Sequence, residues 1–402
     1  MNRIASAALL ALFCLGPGSL PASGLETGGD PEPAITMRRG GALPAPPPEI
    51  EPVPVVMLVD TGAGQQLFAR RADLPFVPAS MTKVMTAYVA FELIAQGKLS
   101  LHQHITVSPE TAAQWSGQGT SMYLKAGERV SVDMLLHGIA TASANDASVV
   151  LAEGIAGDVP RWSAMMNGQA QKLGMKNSHF HTPNGWPDNG QTYVSAQDLV
   201  KLASAMIARH PRLYRHFFGQ KRMVWHGQTL MSHDPTVGVV PGADGIKTGY
   251  TREAGYNFLG TAERDGRRLI MVIGGAKTGG QRAAAARNLL EWGFSRWQSR
   301  RLFEKDQVIG SARVQGGNAR LVGLVTPRPV SFANYDPAAK ISLSITYQGP
   351  LEAPLAKGQA VARLRISAAN GVGAEVPLVT AQAVKTAGPL DRMWNGLMKL
   401  FS

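Results

Sequence analysis

Cysteine is nearly absent from this chain of 402 residues, which holds a single one at Cys14. Cys14 lies in an apolar run over residues 4–15, and we interpret that run as the core of a secretory signal. Cleavage of the signal would leave an exported protein without any cysteine. The sequence therefore excludes disulfide bonds and a catalytic thiol from that protein.

Long apolar runs are missing as well. Residues 4–15 fall well short of the roughly 20 apolar residues that a membrane-spanning helix needs. Arg3 precedes the run and small residues follow it at positions 22–24, which is typical of a cleaved signal peptide. We therefore predict a signal peptide over residues 1–24 and an exported protein. The family resemblance and the terminal segment described below add the expectation that it faces the periplasm, peripheral on the outer face of the inner membrane.

Acidic residues are outnumbered by basic ones, 28 to 40, so that the formal net charge is +12. Nucleic acid is the usual partner of so basic a chain. An exported protein rarely meets nucleic acid, however, and the sequence has neither a nucleic-acid motif nor interleaved aromatic and basic residues. We expect no nucleic-acid partner, and we attribute the charge to an anionic membrane surface and an acidic wall polymer.

Composition divides the rest of the chain into further segments. Residues 25–53 are rich in proline and glycine, which predicts a disordered linker. Residues 54–298 have strand signals at both ends and helical periodicity between them, which predicts an α/β (α+β) domain whose antiparallel sheet joins distant segments. Residues 299–384 alternate short apolar runs with turn residues, so we expect a small all-β domain of the sandwich type.

Residues 385–402 are predicted to end the chain in an amphipathic helix. At about 100° per residue, one side collects Leu390, Met393, Trp394, Leu397, Met398, Leu400 and Phe401. Because Lys385, Arg392 and Lys399 flank this apolar side, we expect the helix to lie on an anionic membrane surface. The alternative is that the same side packs on the β domain.

Two reactive side chains, Ser80 and Lys83, stand three positions apart at the start of a predicted helix that extends to about Gly97. This spacing puts both on one helix face, where unpaired backbone N–H groups favour a nucleophilic serine. Lys83 can take the serine proton only when it is neutral. Burial beside a second cation, for which Lys247 is the candidate, would lower its pKa from about 10.4.

Two later motifs complete the chemistry. Ser143 and Asn145 lie in a run of small residues between two predicted helices, where Ser143 can relay a proton and Asn145 can hold a substrate amide. Lys247, Thr248 and Gly249 close a predicted strand, whose edge can pair with an extended peptide while the lysine and the hydroxyl receive its carboxylate. Taken singly, each motif is equally typical of an ordinary helix cap, loop or exposed strand.

In this order and spacing the three motifs resemble the serine acyl-transferase set of penicillin-binding proteins and class A β-lactamases. From about residue 54 to 402 the chain is similar to serine-type D-alanyl-D-alanine carboxypeptidases, the low-molecular-weight penicillin-binding proteins. Further matching segments are residues 173–180, 244–249, 253–257 and 290–294. The resemblance implies a penicillin-binding/β-lactamase-like transpeptidase domain with an antiparallel sheet and a helical cluster, a C-terminal all-β domain and a terminal amphipathic helix.

The resemblance also implies a function. Such an enzyme removes the terminal D-Ala from peptidoglycan pentapeptide stems through an acyl-enzyme on Ser80, with Lys83 as base and Ser143 as proton relay, and β-lactams acylate it. Backbone N–H groups of Ser80 and Tyr250 would form the oxyanion hole, and neither a metal nor an organic cofactor is required. The implied substrate-binding residues are Asn145, Lys247, Thr248, Gly249 and Tyr250.

Two positions depart from the family pattern. Tyr250 stands where well-known members have histidine, and Ala276 stands where they have an arginine that helps to bind the terminal carboxylate. Lys277 and Arg252 are the two candidates to replace that arginine.

Three alternative functions share part of this pattern. A D,D-endopeptidase that cuts peptidoglycan cross-links would use the same residues. A β-lactamase needs a glutamate-activated water, and the chain has no glutamate between Gly154 and Arg252. A wall-binding protein without catalysis would not need the motif residues, all of which are intact. His179 and His181 lack a third metal ligand nearby in sequence, so we interpret them as loop residues.

Overall fold

The computed structural model describes residues 43–388 and the two-residue strand β1 (Arg3–Ile4). The expected signal peptide outside β1, most of the expected linker and the apolar side of the expected terminal helix lie outside the described residues. Among the residues described, no helix is both long and apolar enough to cross a membrane.

The chain forms two compact units. The first comprises residues 45–61 and 66–295, and the second includes Gly62–Gln65 and residues 296–388. We call them the first unit and the C-terminal unit. An α/β unit with an antiparallel sheet, followed by an all-β unit, is the fold class that the sequence predicts.

Strands and helices alternate along the first unit. Its strands are β2 (Val55–Asp60), β3 (Gln65–Arg70), β4 (His104–Thr106), β5 (Arg129–Ser131), β6 (Arg222–Trp225), β7 (Gln228–Met231), β8 (Ala243–Thr251), β9 (Gly255–Arg264) and β10 (Arg267–Ala276). Its helices are α1 (Lys83–Ala95), α2 (Pro109–Trp115), α3 (Val132–His137), α4 (Asn145–Ala156), α5 (Val159–Lys172), α6 (Ala196–Arg209), α7 (Pro211–Phe217) and α8 (Gly279–Arg296).

Five of these strands form the main sheet, in the order β3-β2-β10-β9-β8. Strand β10 pairs antiparallel with both β2 and β9, and β9 pairs antiparallel with β8. All six residues of β2 are buried, as an apolar strand in the middle of a covered sheet requires. Strand β8, which carries Lys247–Gly249, is therefore an edge strand, as expected for a strand that can pair with a peptide.

Local side-chain capping fixes where two helices begin. The Ser131 hydroxyl accepts a hydrogen bond from the Met134 N–H at 3.2 Å at the start of α3, and Ser195 does the same for Asp198 at 3.1 Å at the start of α6. Helix α6 then packs its apolar face against β2 and β10.

The last residues of the expected linker, 45–53, are packed against the rest of the first unit. Ile50 and Val53 are buried, and Trp292 donates its indole N–H to the Ala45 carbonyl at 2.8 Å. One nitrogen of Arg70, Nη1, lies 2.6 Å from the Ile50 carbonyl oxygen. Residues 45–53 therefore pack on the first unit, because their apolar side chains and carbonyl groups find partners there in spite of the prolines.

The C-terminal unit consists of strands in its described part. They are β11 (Gln298–Phe303), β12 (Val308–Gln315), β13 (Leu321–Val325), β14 (Val330–Asn334), β15 (Ile341–Gly349), β16 (Leu351–Glu352), β17 (Ala360–Ala368) and β18 (Gly373–Thr380). One sheet has the order β1-β15-β17-β18-β13-β12-β16, and β11 pairs with β14 in a second. Alternating burial along β17 puts its apolar side chains on one face.

Candidate active site

Ser80 lies in a short 3₁₀ turn, Ala79–Thr82, that leads directly into α1. Ala79 has a left-handed backbone conformation with φ of 50°, which is uncommon for a residue other than glycine. Strained backbone of this kind persists where the surrounding packing over-determines it, often at functional sites. The turn is therefore held in a fixed shape at the nucleophile that the sequence predicts.

Two glycines allow other segments to press against this turn. A Cβ atom on Gly249 would lie 2.3 Å from the Pro78 carbonyl oxygen, and one on Gly185 would lie 1.9 Å from that of Ala79. Only a residue without a side chain fits at such distances. Gly249 therefore allows β8 to pack closely against the Ser80 turn. This packing requires glycine at position 249 independently of any contact between the strand and a peptide.

Lys83, the first residue of α1, places its amine beside Ser80. Lys83 Nζ lies 2.9 Å from Ser80 Oγ, 2.7 Å from Asn145 Oδ1 and 2.7 Å from the Asn184 carbonyl oxygen. Its side chain is only 1% exposed. Two carbonyl oxygens and one hydroxyl therefore surround the amine, and each of them comes from a different segment of the chain.

The environment of Lys83 favours the neutral amine. Burial lowers the pKa of Lys83 well below its ordinary value, and the charge of Lys247 lowers it further. The carboxylate of Asp146 acts in the opposite direction and raises this pKa. A neutral amine has two N–H groups for the two carbonyl oxygens and a lone pair that can face the serine hydroxyl.

Ser143 and Asn145 flank the junction between a π turn, Gly138–Ala142, and α4. Ser143 is buried in a left-handed conformation with φ of 61°, and its carbonyl oxygen accepts a hydrogen bond from the Thr120 hydroxyl at 2.6 Å. Both ends of the Asn145 carboxamide are engaged, because its Nδ2 also donates to the Gln118 carbonyl at 2.9 Å. Asn145 thereby holds the Lys83 amine in position.

Asp146 is a buried carboxylate that sequence reasoning did not single out. It accepts hydrogen bonds from the Ser121 hydroxyl at 2.6 Å and from the backbone N–H groups of Met122 and Leu124 at 3.0 and 3.1 Å. These contacts compensate the buried charge and fix the segment that precedes β5 against α4.

The loop around Asn184 is the other contribution that the sequence did not reveal. Asn184 is buried and supplies its carbonyl oxygen to Lys83, while the Thr86 hydroxyl donates to the Pro183 carbonyl at 2.6 Å. The Pro183-Asn184-Gly185 sequence indicates a turn. Nothing in it, however, identifies the lysine on which the turn packs.

Lys247 and Thr248 are buried in the edge strand β8. Burial and the neighbouring charge of Arg282 lower the pKa of Lys247 to about 7, against an opposing effect from Asp234. Lys247 Nζ donates to the Thr248 carbonyl at 3.1 Å. A buried amine with so few partners is suited to receive an anion.

Arg282 is the cation that stands beside Lys247. It lies in the first turn of α8, where the helix dipole disfavours a positive charge, and its Nε is buried without a hydrogen-bond partner among the described residues. Burial and the charges of Lys247 and Arg282 also lower the pKa of His233. Asp234 offsets part of this concentration of positive charge, because its carboxylate raises the pKa of both Lys247 and Arg282.

Arg282, which the sequence analysis did not select, is the cation whose charge acts on Lys247. Lys277 and Arg252 are both exposed, and neither contributes to the shifted pKa of Lys247. The position of Arg282 is a signal that could have identified it from the sequence. An arginine in the first turn of a helix is unusual, because its positive charge is repelled by the positive end of the helix dipole.

Tyr250 lies at the exposed end of β8. Tyr250 is 53% exposed, and its ring packs on that of Tyr256 in a tilted arrangement with the ring centroids 4.2 Å apart. The Arg282 guanidinium lies 5.7 Å from the centroid of the Tyr256 ring.

The structure brings several of the residues that the sequence selects together. Lys83 is in direct contact with both Ser80 and Asn145, while Lys247 acts on Lys83 through its charge.

Comparison with known proteins identifies the family. The model of the D-alanyl-D-alanine carboxypeptidase family matches residues 44–278, and that of the penicillin-binding protein 5 C-terminal domain matches residues 297–386. The D-alanyl-D-alanine carboxypeptidase DacD of Salmonella typhimurium is 34% identical over 361 residues, which cover 87% of this chain and 90% of the relative.

Solved structures agree with this result. Penicillin binding protein 5 from Haemophilus influenzae superposes with a TM-score of 0.76 and 30% identity, covering 85% of this chain and 100% of that one. Penicillin-Binding Protein D2 from Listeria monocytogenes in its ampicillin-bound form has a TM-score of 0.53 and 30% identity, covering 60% of this chain and 97% of that one. The chain therefore belongs to the D-alanyl-D-alanine carboxypeptidase family, the serine peptidases among the penicillin-binding proteins.

Proposed function

We propose that this protein is a D-alanyl-D-alanine carboxypeptidase that removes the terminal D-Ala from peptidoglycan pentapeptide stems, with Ser80 as nucleophile. The observation that carries the proposal is the buried Lys83 amine, 2.9 Å from Ser80 Oγ with a strongly lowered pKa. A serine becomes nucleophilic when such a base takes its proton.

The first step is acylation of Ser80. The lone pair of Lys83 accepts the hydroxyl proton while its two N–H groups stay on Asn145 and Asn184, and Ser80 Oγ attacks the carbonyl carbon of the D-Ala-D-Ala bond. Family resemblance assigns the developing oxyanion to the backbone N–H groups of Ser80 and Tyr250. The amine of the departing D-Ala receives its proton through Ser143.

The substrate carboxylate binds between the edge strand and α8. Lys247 and the Thr248 hydroxyl receive it from β8, and Arg282 adds a second positive charge. These groups sit beside the edge strand, where an extended peptide terminus can pair with backbone groups. Asn145, Gly249 and Tyr250 complete the proposed substrate-binding set.

Water then cleaves the acyl-enzyme, which releases the shortened stem and restores the Ser80 hydroxyl. The turn that faces Lys83 contributes the Asn184 carbonyl and no carboxylate. This argues against rapid deacylation by a glutamate-activated water, as in a class A β-lactamase. β-Lactams, which present an amide and a carboxylate together, are expected to acylate Ser80.

We further propose that the protein is exported to the periplasm and lies on the outer face of the inner membrane through residues 385–402. The support is sequence-based: the predicted signal, the apolar side of the terminal segment and its flanking basic residues.

Fluorescent penicillin labelling of wild type and Ser80→Ala tests the nucleophile, and we expect labelling only of the wild type. Release of free D-Ala from a pentapeptide, measured beside cleavage of a cross-linked dimer, tests the substrate. Faster cleavage of the dimer would replace the carboxypeptidase proposal with an endopeptidase.

A further inference from the structure

A second group of reactive side chains lies on the first unit, and the proposed chemistry at Ser80 uses none of it. Three of the nine histidines, His102, His104 and His216, line a surface pocket of about 570 Å³ together with Asp133. His137 stands next to Asp133 on α3. Four of the nine histidines therefore lie near one carboxylate.

Three of these side chains converge on one point. Asp133 and His137 are four residues apart and share one face of α3, while His216 comes from α7. Asp133 Oδ1 lies 2.8 Å from His216 Nε2, and Asp133 Oδ2 lies 4.0 Å from His137 Nε2. One ligand atom from each of the three lies within 4.8 Å of the other two.

These separations suit ligands of one metal ion. Tetrahedral zinc with bonds of about 2.0–2.1 Å needs ligand atoms about 3.3 Å apart. The three candidate ligand atoms all lie within 4.8 Å of one another, and the two carboxylate oxygens of Asp133 lie 2.8 Å from His216 and 4.0 Å from His137. Two imidazoles and one carboxylate are donors typical of zinc, whereas calcium and magnesium prefer oxygen ligands alone. Small side-chain rotations would bring all three onto one ion.

Packing around the trio restricts its rings. The rings of His137 and His216 lie 4.9 Å apart between centroids, and Phe217 contacts them at 4.8 and 4.6 Å respectively. These ring contacts limit the rotation of both imidazoles. The side chains remain partly accessible, with exposed fractions of 33% for Asp133, 21% for His137 and 50% for His216.

A fourth ligand is available from the neighbouring hairpin. His104 pairs directly opposite Ser131 between β4 and β5, and Ser131 is the cap of α3. Directly opposed residues of an antiparallel pair project on the same face of the sheet. His104 is therefore held beside the beginning of the helix that carries Asp133 and His137.

We propose that Asp133, His137 and His216 bind one divalent transition-metal ion of the zinc class, with His104 or His102 able to complete its coordination. The ion would tie α3 to α7. Because α3 continues into the π turn before Ser143, the ion would stabilise a helix that leads to the active site, without taking part in the reaction there.

Calorimetric titration with Zn²⁺ tests the site on the full chain without an affinity tag, after treatment with a chelator. We expect one ion to bind per chain, and His137→Ala and His216→Ala to weaken binding at least tenfold. The double variant His179→Ala/His181→Ala, which removes two exposed histidines outside the cluster, should bind like the wild type. Penicillin labelling of each variant reports whether it is folded.

His216→Gln separates a metal site from a simple hydrogen bond. Glutamine can still donate to Asp133 but is a poor ligand for zinc, so the variant should retain thermal stability without metal and lose the stabilisation that Zn²⁺ gives the wild type. Co²⁺ bound to the wild type should give the visible absorption of a tetrahedral site. Equal zinc affinity in His216→Gln and wild type, or no binding at micromolar zinc, would overturn the proposal.

Discussion

Lys83, the proposed base, depends on contacts between residues far apart in sequence. Lys83 meets Asn145 and Asn184, which lie 62 and 101 positions further along the chain. Each supplies a carbonyl oxygen, so the amine is oriented with little freedom to turn away from Ser80. Orientation and a lowered pKa together make lysine an effective general base.

The pH profile of D-Ala release should depend on the ionisation of two lysines, Lys83 and Lys247. As pH rises, kcat/KM should first increase because Lys83 loses its proton, and then decrease because Lys247, with a pKa near 7 in the free enzyme, loses the charge that binds the carboxylate. In kcat the decrease should begin at higher pH, because the bound carboxylate stabilises the Lys247 cation. Steady-state kinetics across pH measures both profiles.

Arg282 supplies a specific check of this assignment. Its charge lowers the pKa of Lys247, so Arg282→Gln should move the descending part of the kcat/KM profile to higher pH. A profile that stays in place would show that another group titrates there.

Arg282 should also contribute to carboxylate binding. Loss of a charge-assisted hydrogen bond costs roughly 1.5–3 kcal/mol, so Arg282→Gln should lower kcat/KM for a D-Ala-D-Ala substrate about 10- to 100-fold. Lys277→Gln, which removes an exposed positive charge five positions earlier, is the matched control and should have little effect. Equal losses in the two variants would indicate general electrostatics rather than direct binding.

At the scale of elements, the site depends on the close approach of three segments. The 3₁₀ turn at Ser80, the edge strand β8 and the loop of Gly185 meet at distances that leave no room for a Cβ atom. Tight packing of this kind transmits small displacements, because protein interiors have few voids that could absorb them.

Gly185→Ala should therefore impair both folding and acylation. A left-handed conformation costs alanine about 1–2 kcal/mol, and displacing the Ala79 carbonyl adds about 1–3 kcal/mol, so we expect a loss of roughly 2–5 kcal/mol in unfolding free energy. Displacement of Asn184 should also slow penicillin labelling. Chemical denaturation and labelling kinetics measure the two effects.

Gly190→Ala is the control for backbone strain. Gly190 has a similar positive φ of 77° but nothing within 4 Å of the added atom, so only the conformational cost of about 1–2 kcal/mol should appear. If the two variants lose the same stability, contact with the Ser80 turn is not what requires glycine at position 185.

At the scale of the whole molecule, the protein combines a net charge of +12 with a predicted amphipathic helix over residues 385–402. A short interfacial helix binds a membrane weakly and reversibly, and basic residues add attraction to anionic lipid. Long-range attraction of this kind is screened by salt.

Deletion of residues 389–402 should release the protein from vesicles that contain anionic lipid, while D-Ala release from a soluble pentapeptide stays unchanged. Co-sedimentation with the vesicles measures the first effect. The full chain with Trp394→Glu should behave like the deletion, because the charge disrupts the apolar side. Undiminished binding of both variants would contradict the membrane proposal.

The sequence by itself determined the family and the fold class, and it supplied the residues that we propose for the reaction. Ser80, Lys83 and the later motifs are recognisable because acyl transfer requires those residue types at those spacings. Strand alternation and the caps at Ser131 and Ser195 are likewise local, because each depends on neighbours within a few residues.

Only the tertiary structure decided which groups surround those residues. The Asn184 carbonyl beside Lys83, the Arg282 charge beside Lys247 and the trio around Asp133 each join segments that no local pattern connects. The packing of residues 45–53 has the same origin, since a proline-rich composition predicts a linker until partners elsewhere in the fold bury its apolar side chains. Burial and charge act through space, and for that reason the pKa values that make the site reactive arise only when the chain has folded.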